Sequence, residues 1–352
     1  MYISGFIFSR NMGDSTNVTS SPNLPPCDVV RTSVHAFFVV VYSLVFLVGL
    51  LLNGFIMKFY CCRAQQQASS SLMVYMKNLT AADFLLCLSV PLRISHYASS
   101  SPIGQKLYCS FGASTLYLNM YASIIFMGYI AANRYLKIVH PSGTHVLQSV
   151  RTAHIVSMVT WVFLLAASIT YTILFFITEK PLTSNSIRCD YMLGTSVTLF
   201  YKIIHVSCAI IFLVVFICLV FFYYTTSCRV LQVQQSQLAS SGSEKLVKSR
   251  RNMLVLVSIF CLCFVPYHLV RLPYTILWDS CPAGWILYYL KELATMVSVF
   301  NICLDPLVYF YLCKTFRAQV NLRKVLRGKN IQQANQESES RKEQADIVTA
   351  TS

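Results

Sequence analysis

Asn301-Ile-Cys-Leu-Asp305-Pro306-Leu-Val-Tyr309 sets a carboxylate and a proline inside an otherwise apolar stretch that runs from 285 to 312. A stretch of that kind is long enough to cross a bilayer, which needs about 20 mostly apolar residues per helix. An acid placed there costs at least ~2.5 kcal/mol on insertion scales, so it needs a reason to be there. Leu79-Thr-Ala-Ala-Asp83-Phe-Leu-Leu poses the same problem a second time. Outward from these two, five further apolar runs complete a set near 34–60, 70–97, 106–139, 151–177, 197–225, 251–278 and 285–312. The expected fold is all-α, a seven-transmembrane helix bundle spanning 34–312, with polar loops at Ala98–Gln105, Thr178–Thr195 and Ser227–Lys248. With 55% hydrophobic and 12% charged residues, the chain is too apolar and too charge-poor for a soluble surface.

The net charge of +15 invites a nucleic-acid partner, but its distribution excludes one. With the N-terminus outside, 19 of the 28 Lys and Arg, among them Arg134, Lys245, Lys248, Arg250 and Arg251, fall on one side of the membrane. That is the positive-inside pattern, whose natural partner is anionic membrane lipid. The chain is expected in the plasma membrane as a multi-pass protein with an extracellular tail, 1–33, and a cytoplasmic tail, 327–352. Met1–Arg31 shows no long apolar run of a cleavable signal, so the first helix is expected to serve as its own. Asn17-Val18-Thr19 is a glycosylation sequon in that tail, whereas Asn78-Leu79-Thr80 lies inside a helix and matches by chance. Most cysteines read as small hydrophobes, but Cys27, Cys109, Cys189 and Cys281 fall on the oxidising side, where three pairings are open.

Asp83 and Asp305 have no basic neighbour in sequence, so they must share a cation, a proton or a polar network. Asn53, Asn119, Ser123 and Asn301 are the polar residues available to such a network, and oxygen ligands suit a hard cation; Asp83, Asn119, Ser123, Asn301 and Asp305 are expected to bind sodium. The alternative is two protonated acids hydrogen-bonded to their neighbours. Pro91, Pro266 and Pro306 lie inside or near the ends of spans two, six and seven, where proline kinks a helix. At the outer ends, Arg93, Arg271 and Lys291 come from three helices, with His268 three residues from Arg271 and Tyr117 and Tyr121 on the third span. Together they would line a cavity for an anion, the arginines gripping it bidentately and the tyrosines offering stacking faces. The rival reading has these cations snorkelling to the interface, or one of them held internally by Glu292.

No His-Glu-x-x-His, Gly-x-x-x-x-Gly-Lys-Ser/Thr or Gly-x-Ser-x-Gly occurs, so an enzyme is not expected. Internal repeats of a transporter are also missing, and Lys291 is too near the end of its span to carry retinal.

Asn53, Leu79-x-x-x-Asp83, Cys109, Asn133-Arg134-Tyr135, Trp161, Cys263-Phe264-x-Pro266 and Asp305-Pro306-x-x-Tyr309, in that order, resemble the rhodopsin-like (class A) G-protein-coupled receptors over residues 30–326. Leu118-Asn-Met-Tyr121 and Cys263-Phe-Val-Pro-Tyr-His268-Leu-Val-Arg271, with Lys291-Glu292, are similar to the branch that holds the ADP and UDP-sugar receptors and their lipid-sensing relatives. The resemblance implies disulfides Cys109–Cys189 and Cys27–Cys281, and a short amphipathic eighth helix over 313–326 with Phe316, Val320 and Leu322 facing lipid. It implies a heterotrimeric G protein as partner, with Asn133, Arg134, Tyr135, Phe264, Pro266 and Tyr309 in coupling and activation. It also implies an extracellular anionic agonist, foremost a nucleotide or nucleotide sugar, acting through inhibitory G proteins. The alternatives are a lysophospholipid or platelet-activating-factor-like lipid and, outside signalling, a decoy receptor. No cofactor is expected beyond the allosteric sodium ion. The chain departs from the family at Asn133, where an acid usually precedes the arginine, and has Tyr201 where the ADP receptor has a histidine. An amide restrains Arg134 less than a carboxylate would, so the receptor is expected to signal basally and Asn133→Asp to lower that signal.

Overall fold

A computed structural model describes residues 32–63, 70–98, 101–139, 145–178, 189, 195–235, 241–277, 281–313 and 316–317. Seven helices are long and apolar enough to cross a membrane, and among the described residues there is no strand. The first five are Thr32–Arg63, Ser71–Ala98, Pro102–Val139, Val150–Thr178 and Thr195–Gln235. The sixth is Ser241–Leu277, and the seventh is built from Cys281–Val299 and Asn301–Leu312.

Burial separates the helices into a centre and a wall. Two thirds (67%) of the apolar window of the third helix is buried, against 17% in the fourth and fifth, so the third helix is the axis of the bundle. Leu51, Val162, Phe163, Ile210 and Leu213 face outward. An apolar belt of this extent has no place in water and matches hydrocarbon.

Three expectations need correction. The polar stretch Ser227–Lys248 is mostly helix, because the fifth helix runs on to Gln235 and the sixth starts at Ser241. Its Gln, Arg, Leu and Lys residues are good helix formers and no proline interrupts them, so the helices continue past the apolar run. The third helix starts before its apolar run, at Pro102, where Ser101 Oγ accepts from the Gly104 amide and proline takes the first turn, which has no use for its missing N–H. Phe316 is buried against Phe55 and Phe59 and faces the bundle, not lipid, since two aromatic edges are available to it there. The tails, Asn17, Cys27 and the rest of 313–326 lie outside the described residues.

Proline and glycine set the approach of the first and seventh helices. Pro306 has no N–H, so the carbonyl four residues earlier, that of Ile302, loses its helical donor. Asn53 on the first helix supplies one, its Nδ2 donating to Ile302 O at 2.8 Å and to Gly49 O at 2.9 Å. A Cβ on Gly49 would lie 2.8 Å from Ile302 Cδ1 and 3.0 Å from Cys87 Sγ, so a larger residue would make those side chains shift.

Candidate functional site: a cationic, tyrosine-walled cavity above a buried acid pair

The third helix contains one wide turn, Tyr108–Gly112, next to the Cys109–Cys189 disulfide. A Cβ on Gly112 would lie 2.8 Å from Tyr108 Cδ2 and 3.3 Å from Leu92 Cβ, so glycine leaves room for the Tyr108 ring against the second helix. There the Tyr108 hydroxyl accepts from Arg93.

Arg93 is buried at 3% exposure, and its charge is already matched. It is paired with Glu292 of the seventh helix and also donates to Tyr97 OH at 3.3 Å, while its guanidinium lies 5.1 Å, 5.7 Å and 5.6 Å from the rings of Tyr42, Tyr97 and Tyr108. The Tyr97 hydroxyl donates to the same carboxylate oxygen of Glu292. The other carboxylate oxygen holds Lys291 Nζ at 2.6 Å, and that ammonium lies over Tyr274 and Tyr288 at 4.7 Å and 4.5 Å. A buried cation needs a paired anion, and Glu292 serves two at once.

Arg271 is held differently. Its Nη2 donates to Tyr201 OH and is 2.8 Å from His205 Nε2, and Tyr117, Tyr201 and Tyr274 surround the guanidinium at 5.3–5.5 Å. Arg93, Arg271, Lys291 and Glu292 line one cavity with Tyr117, Tyr171, Tyr201, Tyr288 and Cys189, with about 510 Å3 of space including its open mouth. A second cavity of about 580 Å3 adjoins it between the third, fourth and fifth helices; it shares Tyr117, Tyr171 and Tyr201 and is otherwise lined mainly by apolar atoms of residues such as Leu164, Ala167 and Ile204.

Two of the expected ligand residues sit elsewhere. His268 is bonded to Tyr121 OH at 3.1 Å and to Phe264 O at 2.8 Å, and it stacks on Phe212 at 3.8 Å. It lines neither cavity, and Tyr121 lines only the apolar one. Sequence reasoning missed Tyr97, His96, Tyr108, His205 and Tyr288. The first two follow Arg93 by four and three residues and His205 follows Tyr201 by four, a helical spacing that would have placed them on shared faces.

Deeper in the bundle, Asp83 and Asp305 are wholly buried. Ser123 Oγ donates to Asp83 Oδ1 at 3.4 Å and Tyr309 OH to Asp83 Oδ2 at 3.5 Å. Both oxygens of Asp305, both polar side-chain atoms of Asn301 and Oδ1 of Asn119 are buried without a hydrogen-bond partner. Among the described residues no group of three or more His, Cys, Asp or Glu is gathered, so any cation here would rest on two carboxylates and neutral oxygens. The orphaned acceptors fit that role, because each buried oxygen left unpaired carries a desolvation penalty that a cation would relieve.

At the opposite end from the disulfide, Arg134 Nη2 donates to the Leu312 carbonyl at 2.8 Å. Asn133 turns away from Arg134, and its Nδ2 donates to Ser71 Oγ on the second helix at 2.8 Å. Tyr135 stacks on Phe222 at 4.7 Å. Phe264 is buried edge-on to Phe260, two residues before Pro266 in the sixth helix. Trp161 Nε1 donates to Asn78 Oδ1 at 2.9 Å, tying the fourth helix to the second at the chance sequon.

A seven-helix membrane bundle with a disulfide-pinned cavity at one end and an arginine latch at the other defines a receptor. Residues 52–309 match the family described as 7 transmembrane receptor (rhodopsin family), and the chain belongs to it. It is 34% identical over 284 residues to P2Y purinoceptor 14 of Bos taurus, covering 78% of this chain and 82% of that one. It is 32% identical over 284 residues to G-protein coupled receptor 87 of Mus musculus, covering 79% and 77%. To P2Y purinoceptor 13 of Homo sapiens it is 30% identical over 322 residues, covering 90% and 88%. The chain is thus a multi-pass membrane receptor of the G-protein-coupled class, and not an enzyme.

Proposed function

We propose that this receptor responds to an extracellular, phosphate-bearing anion, foremost a nucleotide or nucleotide sugar, and signals through inhibitory G proteins, its N-terminus lying outside the cell. The observation that carries the reading is the cavity itself, in which Arg271 of the sixth helix and Lys291 of the seventh stand among the rings of Tyr117, Tyr171, Tyr201 and Tyr288. A phosphate suits the bidentate fork of Arg271 and the point charge of Lys291, and the tyrosine rings would take a base by stacking. Two of the relatives carry the name purinoceptor, which points to the same class. Arg93 has a different role, holding Glu292 in place so that Lys291 is presented to the cavity.

The second cavity favours a second reading. Its mainly apolar wall is a poor match for a sugar or base and a good one for an acyl chain, with Tyr117, Tyr171 and Tyr201 joining it to the cations, as a lysophospholipid or platelet-activating-factor-like lipid would require. A panel of nucleotides, nucleotide sugars and lysolipids, scored for lowered cyclic AMP, separates the two. Ala167→Trp, which fills the apolar cavity, abolishes a lipid response and spares a nucleotide response. A decoy receptor would bind a member of the panel and lower cyclic AMP with none.

The buried acid pair is proposed to hold a sodium ion, Asp83 and Asp305 supplying charge and Asn119, Ser123 and Asn301 neutral oxygens. An ion bound there would shift the receptor toward the conformation in which these groups stand together, by its difference in affinity for the two states.

A further inference from the structure

The seventh helix ends at Leu312, and its last carbonyls have no helical donors of their own. One of them, that of Tyr309, accepts from the Cys313 amide at 2.9 Å. Those of Tyr311 and Leu312 are taken by side chains from other elements. Tyr311 O accepts from Asn252 Nδ2 of the sixth helix at 3.2 Å and from Arg317 Nη2 at 3.4 Å, and Leu312 O accepts from Arg134 of the third helix at 2.8 Å. Arg251, next to Asn252, also lies over the Tyr311 ring at 5.9 Å. A helix C-terminus carries partial negative charge, which suits guanidinium donors.

We propose that this last turn of the seventh helix is the acceptor that holds the third and sixth helices together in the resting receptor, and that Asn252 is a positioning residue for G-protein coupling. Asn252 acts through the seventh helix on Arg134. Two donors from two helices grip adjacent carbonyls of one turn, so moving the inner end of the sixth helix away breaks the Asn252 bond and disturbs the turn that Arg134 holds. Asn133 cannot replace this restraint, because its amide is bonded to Ser71. Asn252 is 8% exposed and its own Oδ1 has no partner, so the residue leaves a buried acceptor unpaired while its amide makes the single bond to Tyr311 O. A residue kept only for packing would be served better by an apolar side chain of the same volume.

The test uses the full-length receptor in lipid nanodiscs without ligand, with GDP release measured on G proteins of each class. Loss of one hydrogen bond of ordinary strength shifts a two-state equilibrium about 2- to 10-fold, so Asn252→Ala should raise basal release by that factor. Asn252→Asp, similar in size but acceptor-only, should do the same, and Asn252→Gln, which keeps the donor, should return toward the parent value. Unchanged basal release in folded Asn252→Ala and Asn252→Asp overturns the proposal, as does an equal rise in Asn252→Gln. If neither variant folds, spin labels at the exposed positions Val247 and Leu307 decide on the otherwise unaltered chain. Their separation must grow when nucleotide-free G protein binds, and a complex that forms with the separation unchanged overturns the proposal.

Discussion

The disulfide end and the middle of the bundle both bury charge, but they treat it in opposite ways. At the disulfide end Glu292 is matched by Arg93 and Lys291 and capped by a tyrosine hydroxyl. In the middle, Asp305 has neither of its oxygens bonded. A satisfied network rigidifies its surroundings, whereas an unsatisfied one carries a penalty that some partner must relieve. The first is therefore read as a scaffold that presents Lys291 beside Arg271 at the cavity, and the second as a seat for a cation.

Breaking the scaffold should have the largest effect. Arg93→Ala leaves Glu292 with Lys291 and Tyr97 as its partners, and loss of one partner of a buried pair costs up to about 3–5 kcal/mol, read as a fall in melting temperature and surface expression. Replacing both partners by apolar or neutral residues of like volume, Arg93→Leu with Glu292→Gln, should recover only part of that loss, because it also takes the carboxylate from Lys291. If Arg93→Ala melts like the parent and only its agonist response suffers, Arg93 belongs with the ligand groups.

Arg271→Ala comes next. It should weaken an anionic agonist by roughly 2–5 kcal/mol, more than tenfold in potency, with normal surface expression. Arg271→Lys should restore only part, since an ammonium lacks the planar fork. An uncharged ligand that activates the alanine variant fully would remove the anion from the account.

The comparison sharpens at the acid pair. Sodium should raise the melting temperature of the parent receptor and weaken agonist binding by about 1–3 kcal/mol, and Asp83→Asn should abolish both effects. An equal response of parent and variant to sodium and to a bulky organic cation would reduce the effect to screening. The smallest effect is expected at Asn133. With its amide on Ser71, Asn133→Asp should change basal GDP release by less than about twofold, or ~0.4 kcal/mol. The expectation that Asn133→Asp lowers basal signalling rested on a contact with Arg134 that the fold does not make.

What the sequence made legible follows from the physics of each feature. Seven spans, the buried acids and the kinking prolines are local properties of composition, and one chain displays them directly. The gathering of Arg93, Arg271 and Lys291 at one cavity was also readable, because each sits near the same end of its helix. Orientation about the helix axis was not. His268 and Arg271 were expected to share a ligand face, yet the Phe212 ring and the Tyr121 hydroxyl turn His268 into the core. The lengths of the fifth and sixth helices escaped for another reason, since apolar runs mark where lipid ends and not where a helix does.

The bond from Asn53 to the Ile302 carbonyl has a consequence for how substitutions combine. That carbonyl is orphaned only because position 306 is a proline, so the two positions form one epistatic unit. With Pro306 present, removing the Asn53 amide exposes a buried acceptor; with alanine at 306, the helix supplies its own donor and the amide becomes dispensable. A double-mutant cycle on Asn53→Ala and Pro306→Ala should therefore depart from additivity by roughly 1 kcal/mol, the mark of a pair written 253 residues apart that mutates as one site.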